Sequence, residues 1–116
     1  SGGAFAGDTA KPNTVQALMT QKLASAQGLL DGVVREDYAM IMKNADQLKA
    51  ISRATTWYQK DSELFMRYAN SFQNAADYLQ EKSKAKDLEG VALGYTRITL
   101  ECMQCHNYVR AGRTDK

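Results

Sequence analysis

The sequence predicts an all-α protein, an up-down-up-down four-helix bundle. Three observations predict it. Four separate stretches repeat apolar residues with the i, i+3, i+4, i+7 spacing of a helix that buries one face. No stretch alternates with period two over strand length, so no β-sheet is expected. The single proline, Pro12, stands ahead of all four stretches, so no helix is interrupted. Helices of about 18 to 25 residues, roughly 30 Å long, joined by short loops pack as antiparallel neighbours.

The first helix is expected to start at Asn13, with Gln16 completing a capping box. Its stripe is Val15, Leu18, Met19, Leu23, Ala26, Leu29, Leu30 and Val33, with one charge inside it, Lys22. Gly32 marks its expected end. The second helix follows Val34. Glu36 and Asp37 suit its positive end and Lys49 and Arg53 its negative end. Tyr38, Ile41, Met42, Ala45, Leu48 and Ser52 form its apolar face. Residues Ala54 to Lys60, with Trp57 and Tyr58, lose the period and read as the longest connection, Trp57 closing one end of the bundle. Asp61 or Ser62 caps the third helix, whose face is Phe65, Tyr68, Ala69, Phe72, Ala75, Ala76 and Leu79. Lys82, Lys84 and Lys86 crowd its C-terminal end. Asp87 caps the fourth, which carries Leu88, Val91, Ala92, Tyr95, Ile98, Thr99, Cys102, His106 and Val109. Gly94 lies off that stripe. The expected organisation is a flexible segment over residues 1–12, one bundle domain over 13–112 and a frayed tail over 113–116.

The last helix holds the chemistry. Residues 102–106 read Cys-Met-Gln-Cys-His, and they contain both cysteines and the only histidine of the chain. A Cys-x-x-Cys-His run is an attachment site for a c-type haem. Two thiols three residues apart on a helix lie on one side and can meet the two vinyl groups of one porphyrin. His106, one turn after Cys102, can present an imidazole nitrogen to the iron. The other readings are a redox dithiol or half of a zinc site. Zinc needs four ligands, and no second Cys or His cluster exists to supply them. A thioredoxin-like dithiol expects a βαβ pattern, which is absent from the periodicity. The predicted bundle therefore encloses one covalently bound haem c, held through Cys102 and Cys105.

Charge and hydropathy narrow the partners. Net charge is +2 and the signs are mixed, so no clustered basic face predicts nucleic-acid binding. No apolar run approaches the ~20 residues that span a bilayer. Covalent haem attachment generally takes place outside the cytoplasm, so an exported, periplasmic protein with its signal peptide removed is expected. An attachment motif followed by only ten residues, none of them Met, excludes the small class I cytochromes, which attach haem near the N-terminus and take a methionine from far downstream.

A C-terminal CMQCH on the last helix of a four-helix pattern, with Arg110 four residues after His106, resembles the cytochrome c prime family, the class II c-type cytochromes. The resemblance covers Asn13 to Arg110. It implies haem thioethers at Cys102 and Cys105, His106 as proximal iron ligand and Arg110 beside the proximal haem face. It also implies a periplasmic location and a possible homodimer through the first two helices. Some members leave the sixth position open and bind nitric oxide or carbon monoxide; low-spin members use a methionine of the first helix and carry electrons. The short second connection and Trp57 depart from better-known members.

Of the five methionines, Met103 lies in the motif and cannot reach the far haem face, Met40 and Met66 lie off their stripes, and Met42 and Met19 face inward. Inward methionines usually fill core gaps. Met19 is the candidate sixth ligand, because the first helix covers the distal haem face in the resembling family; one turn of uncertainty leaves Gln16, Lys22 and Leu23 as neighbours to weigh. Lys22 either snorkels its ammonium to water or pairs with a buried anion, for which a haem propionate is the candidate. Arg110 either is a solvated cation at a helix C-terminus or shields the proximal haem edge. Two functions follow. One is a six-coordinate electron carrier serving redox partner proteins, with His106 and Met19 as axial ligands. The alternative is a five-coordinate binder of a diatomic gas. An enzyme is not expected, since no distal histidine and no acid–base pair accompany the motif.

Overall fold

The structure is a computed structural model that describes residues 14–56, 58 and 62–114. Four helices follow one another: α1 (Val15–Arg35), α2 (Tyr38–Thr56), α3 (Glu63–Lys84) and α4 (Leu88–Thr114). Among the described residues there is no strand. The chain measures 45 × 30 × 20 Å along its principal axes, the proportions of a bundle of helices about 30 Å long. Sequential helices pack extensively, whereas α1 and α4 touch only sparsely. The fold is thus a four-helix bundle closed along three seams and loose along the fourth.

The caps explain the boundaries. Thr14 caps α1, its Oγ1 accepting the Ala17 N–H at 3.0 Å; Asn13, the cap expected from the sequence, lies outside the described residues. Ser62 caps α3 by accepting the Phe65 N–H at 3.1 Å, and Asp87 accepts the Gly90 N–H at 3.0 Å ahead of α4. The first helix runs past Gly32 to Arg35, and α2 continues through Thr56, three residues into the expected connection. Trp57 and Asp61 lie outside the described residues. The fourth helix passes Gly112 and reaches Thr114, beyond the expected domain end; one helical glycine costs only about 1 kcal/mol and need not stop a helix.

The α1–α2 and α3–α4 connections use one device twice. The Asp37 N–H bonds Gly32 O and the Glu36 N–H bonds Val33 O, while the Asp87 N–H bonds Lys82 O and the Lys86 N–H bonds Ser83 O. These are paired Schellman closures. The residue between helices is left-handed in both, Glu36 at φ 55° and Lys86 at φ 56°. The next residue is an aspartate that caps the following helix, Asp37 accepting the Met40 N–H as Asp87 does that of Gly90. Tyr38 joins the two turns: its hydroxyl lies 3.2 Å from both Glu36 Oε2 and Lys86 O, and its carbonyl accepts from Ser83 Oγ.

Between this stapled end and the middle lies the apolar core, Leu29, Ile41, Ala45, Leu48, Phe72, Ala75, Ala76, Leu79, Val91 and Ile98. The predicted faces of α2 and α3 hold, and α2 adds Ile51 and Thr55. Neither the α1 nor the α4 stripe holds in full; on α4 Ala92, Thr99 and His106 are exposed. On α1 Val15, Leu23 and Leu30 are exposed, and Ser25 and Gly32 are buried in their place. Leu23 and Leu30 follow Met19 at i+4 and i+11, so they lie on the flank that borders the loose α1–α4 seam. Gly94 is buried, and a Cβ there would stand 2.8 Å from Leu79 Cβ. Its missing side chain is what lets α4 lie against α3.

Candidate functional site

At the end of the bundle away from the two tight turns, the helices enclose a cavity of about 550 Å³. It takes its walls from the start of α1 (Val15, Met19, Lys22), the end of α2 (Ser52, Thr55), the start of α3 (Phe65, Tyr68, Ala69, Phe72) and the motif-bearing part of α4 (Glu101, Cys102, Cys105, His106, Tyr108, Val109). The up-down-up-down path dictates this grouping, since odd helices start where even helices end. Met19, Lys22, Cys102, Cys105 and His106 therefore share one cavity, as their positions on antiparallel helices predict. Arg110 does not line it: one turn beyond His106 and exposed, it bonds the Asn107 side chain. Met103, between the cysteines, points out and is 54% exposed.

The two cysteines are free and half-buried, and His106 is an exposed residue at the rim of the same wall. Burial pushes the Cys102 thiol above its ordinary value of 9.0; Lys22 opposes the rise, and Cys105 and Glu101 add to it. Cys105 shifts the same way, chiefly by burial, again against Lys22. These thiols are held protonated, unlike the low-pKa thiolates of redox dithiols. Lys22 responds in the complementary sense. Burial lowers its ammonium below the ordinary 10.5, with Cys102 and Cys105 resisting. Its Nζ lies 4.1 Å from the centre of the Phe72 ring, a desolvated cation–π contact.

Two wall residues carry no signal in the motif itself. Glu101 Oε2 accepts a hydrogen bond from Ser71 Oγ at 2.6 Å, while Oε1 is buried without a partner. Tyr108 packs on Tyr68 with ring centroids 5.5 Å apart, and its hydroxyl lies 3.3 Å from the Ser62 cap. Glu101, Cys105 and Tyr108 follow at i, i+4 and i+7, so this α3-facing line of α4 was open to a helical-wheel reading.

Among the described residues no group of three or more His, Cys, Asp or Glu is arranged to hold a bare metal ion. The wall offers instead two thiols and an imidazole beside aromatic and aliphatic surface, within the 300–1,000 Å³ range of cofactor and ligand sites. No helix among the described residues is long and apolar enough to cross a membrane. Comparison of the chain with protein-family models, with curated proteins and with solved structures gives no match.

Proposed function

We propose that the chain is a monohaem c-type cytochrome of the class II, cytochrome c prime-like type, whose work is one-electron transfer. One observation carries the reading. Cys102, Cys105 and His106 line the same cavity, and other helices bring Met19, Lys22, Phe65 and Phe72 to that cavity. The donor set fits one haem c. Its two thiols would become thioethers, and the His106 imidazole would be the proximal iron ligand. When bound, the haem supplies a ferric–ferrous couple.

The chain's own residues do the rest. Phe65, Phe72, Val15 and Ala69 give apolar surface that excludes water from a flat cofactor. The half-buried cysteines fix it on α4, whose seat against α3 is set by Gly94. Met19 and Lys22 of α1 are the side chains available to the sixth position. Arg110 lies outside the cavity wall and remains a candidate for shielding the proximal edge from outside. An exported, periplasmic protein serving redox partner proteins, with a homodimer as its possible assembly, completes the proposal.

The test is spectroscopic. Acid–organic extraction should leave the colour with the polypeptide, and the protein should be low-spin in both oxidation states and inert to carbon monoxide. Haem passing into the organic phase would refute covalent attachment. The apolar wall of Val15, Phe65 and Phe72 also suits a gas-binding pocket. A high-spin protein that takes up carbon monoxide readily would make the chain a five-coordinate binder of a diatomic gas.

A further inference from the structure

From Thr14 to Leu30 the chain carries one charged residue, Lys22, and it is the one that lines the cavity. Its amine sits over Phe72. Among the described residues no carboxylate lies within 4.0 Å of it. Glu101, the acid on the same cavity, accepts from Ser71 with one oxygen and keeps the other buried without a partner. The Phe72 ring face attracts the ammonium, but removal from water without a carboxylate partner favours the neutral amine, which carries a lone pair.

Position adds to this. Side chains on a helix lean toward its N-terminus, so Lys22 leans toward the layer of Met19, and His106 leans toward the layer of Cys102. Lys22, Cys102 and Cys105 line one cavity, which places the amine at the level of the attachment motif. Thioether formation would leave neither sulfur able to ionise beside the amine. The propionates do not replace them, because on a porphyrin they lie at the edge opposite the vinyl groups. A haem held by Cys102 and Cys105 would turn a face, rather than its propionate edge, toward the amine.

We propose that the Lys22 amine is the sixth ligand of the haem iron, with Met19 a wall of the pocket. This rests on the covalent-haem reading and names the residue that completes the iron's coordination. The ammonium gives up one proton to solvent and its lone pair forms the bond to iron; no electron is transferred in that step. An imidazole–amine pair lacks the thioether that raises the potential of His/Met cytochromes, so a lower potential than theirs follows.

The test uses the intact, haem-loaded protein and its ferric near-infrared and electron-paramagnetic-resonance spectra. The expected parent is low-spin without a sulfur-to-iron band, and Met19→Leu leaves that spectrum unchanged. Lys22→Arg keeps the positive charge and the long stem but cannot ligate, so it should lose the low-spin signal and bind carbon monoxide when reduced. Lys22→Met keeps the stem without the charge and should replace the parent signal with a sulfur-to-iron band or a high-spin one. Retention of the parent spectrum in Lys22→Arg overturns the inference, as does a parent sulfur-to-iron band that Met19→Leu abolishes. In both cases covalent haem would stand. Colour extracted into organic solvent would instead refute the reading beneath it, and a high-spin parent would overturn the sixth ligand while leaving attachment intact.

Discussion

A single methyl group added at Gly94 tests how tightly α4 is seated against α3. The new Cβ would stand 2.8 Å from Leu79 Cβ, 3.0 Å from its Cα and 3.3 Å from its Cγ. Carbon atoms in good contact stand about 3.5–4.0 Å apart. The obstructing atoms belong to the root of a fully buried leucine on a helix, not to the free end of a flexible chain. Relief therefore requires the two helices to separate by on the order of half an ångström to one ångström. Two terms oppose each other. Alanine favours the helix over glycine by about 1 kcal/mol. Overpacking a core contact costs about 1–3 kcal/mol. The difference leaves Gly94→Ala less stable by up to about 2 kcal/mol, with about 1 kcal/mol the central expectation. For a domain of this size that lowers the Tm by roughly 4 °C. Thermal unfolding followed by far-ultraviolet circular dichroism measures it, and Gly94→Leu should be far worse. A Gly94→Ala protein about 1 kcal/mol more stable than the parent, the value of helix propensity alone, would refute the close-approach argument.

Lys86→Gly should raise stability by up to about 1 kcal/mol, since a left-handed non-glycine residue is strained and the Tyr38 bond uses only the Lys86 carbonyl; a lower urea midpoint would contradict it. Ser62→Ala should cost about 1 kcal/mol, because it removes the α3 cap and the hydroxyl partner of Tyr108 together; an unchanged midpoint would show that the cap is dispensable. In a Lys22→Met chain with free thiols, stability should fall as pH rises above 9.0. Folded Cys102 and Cys105 have raised pKa values, so they hold protons that the unfolded thiols release. Urea midpoints between pH 8 and 11 check the sign, and rising stability across that window would refute it.

The four helices and the site were legible in different ways. Periodicity alone located every helix, because each buries one face, and Ser62 and Asp87 announced two starts by their side chains. The ends were harder to read. Glycine is the usual left-handed stop, yet both tight turns place a charged residue, Glu36 or Lys86, in that conformation. Gly32, which the sequence offered as a stop, serves packing: a Cβ there would meet Ile41 Cγ1 at 2.8 Å. Leu23 and Leu30 fit the apolar period but stay exposed, because the stripe of α1 assumes a neighbour along the whole α4 seam. The motif residues needed no fold to be recognised. The convergence of Met19 and Lys22 with them needed only the antiparallel order of the helices. The amine's place over Phe72 depends on how three helices meet at that end, which no single helix's period encodes.

The paired turns clasped by Tyr38 give the molecule the mechanics of a clothes peg. The joined end carries two tight turns tied through Tyr38 with the apolar core beside them, while the far end is a hollow bridged by the Ser62–Tyr108 and Ser71–Glu101 bonds. Local opening free energy must then decline from the joined end toward the jaws. Amide hydrogens of Ile41, Leu79 and Val91 would exchange last and those around Met19 and Tyr68 first. A jaw that yields before its hinge can admit a rigid, flat guest without unfolding, and two bonds to one jaw would hold that guest once it had entered.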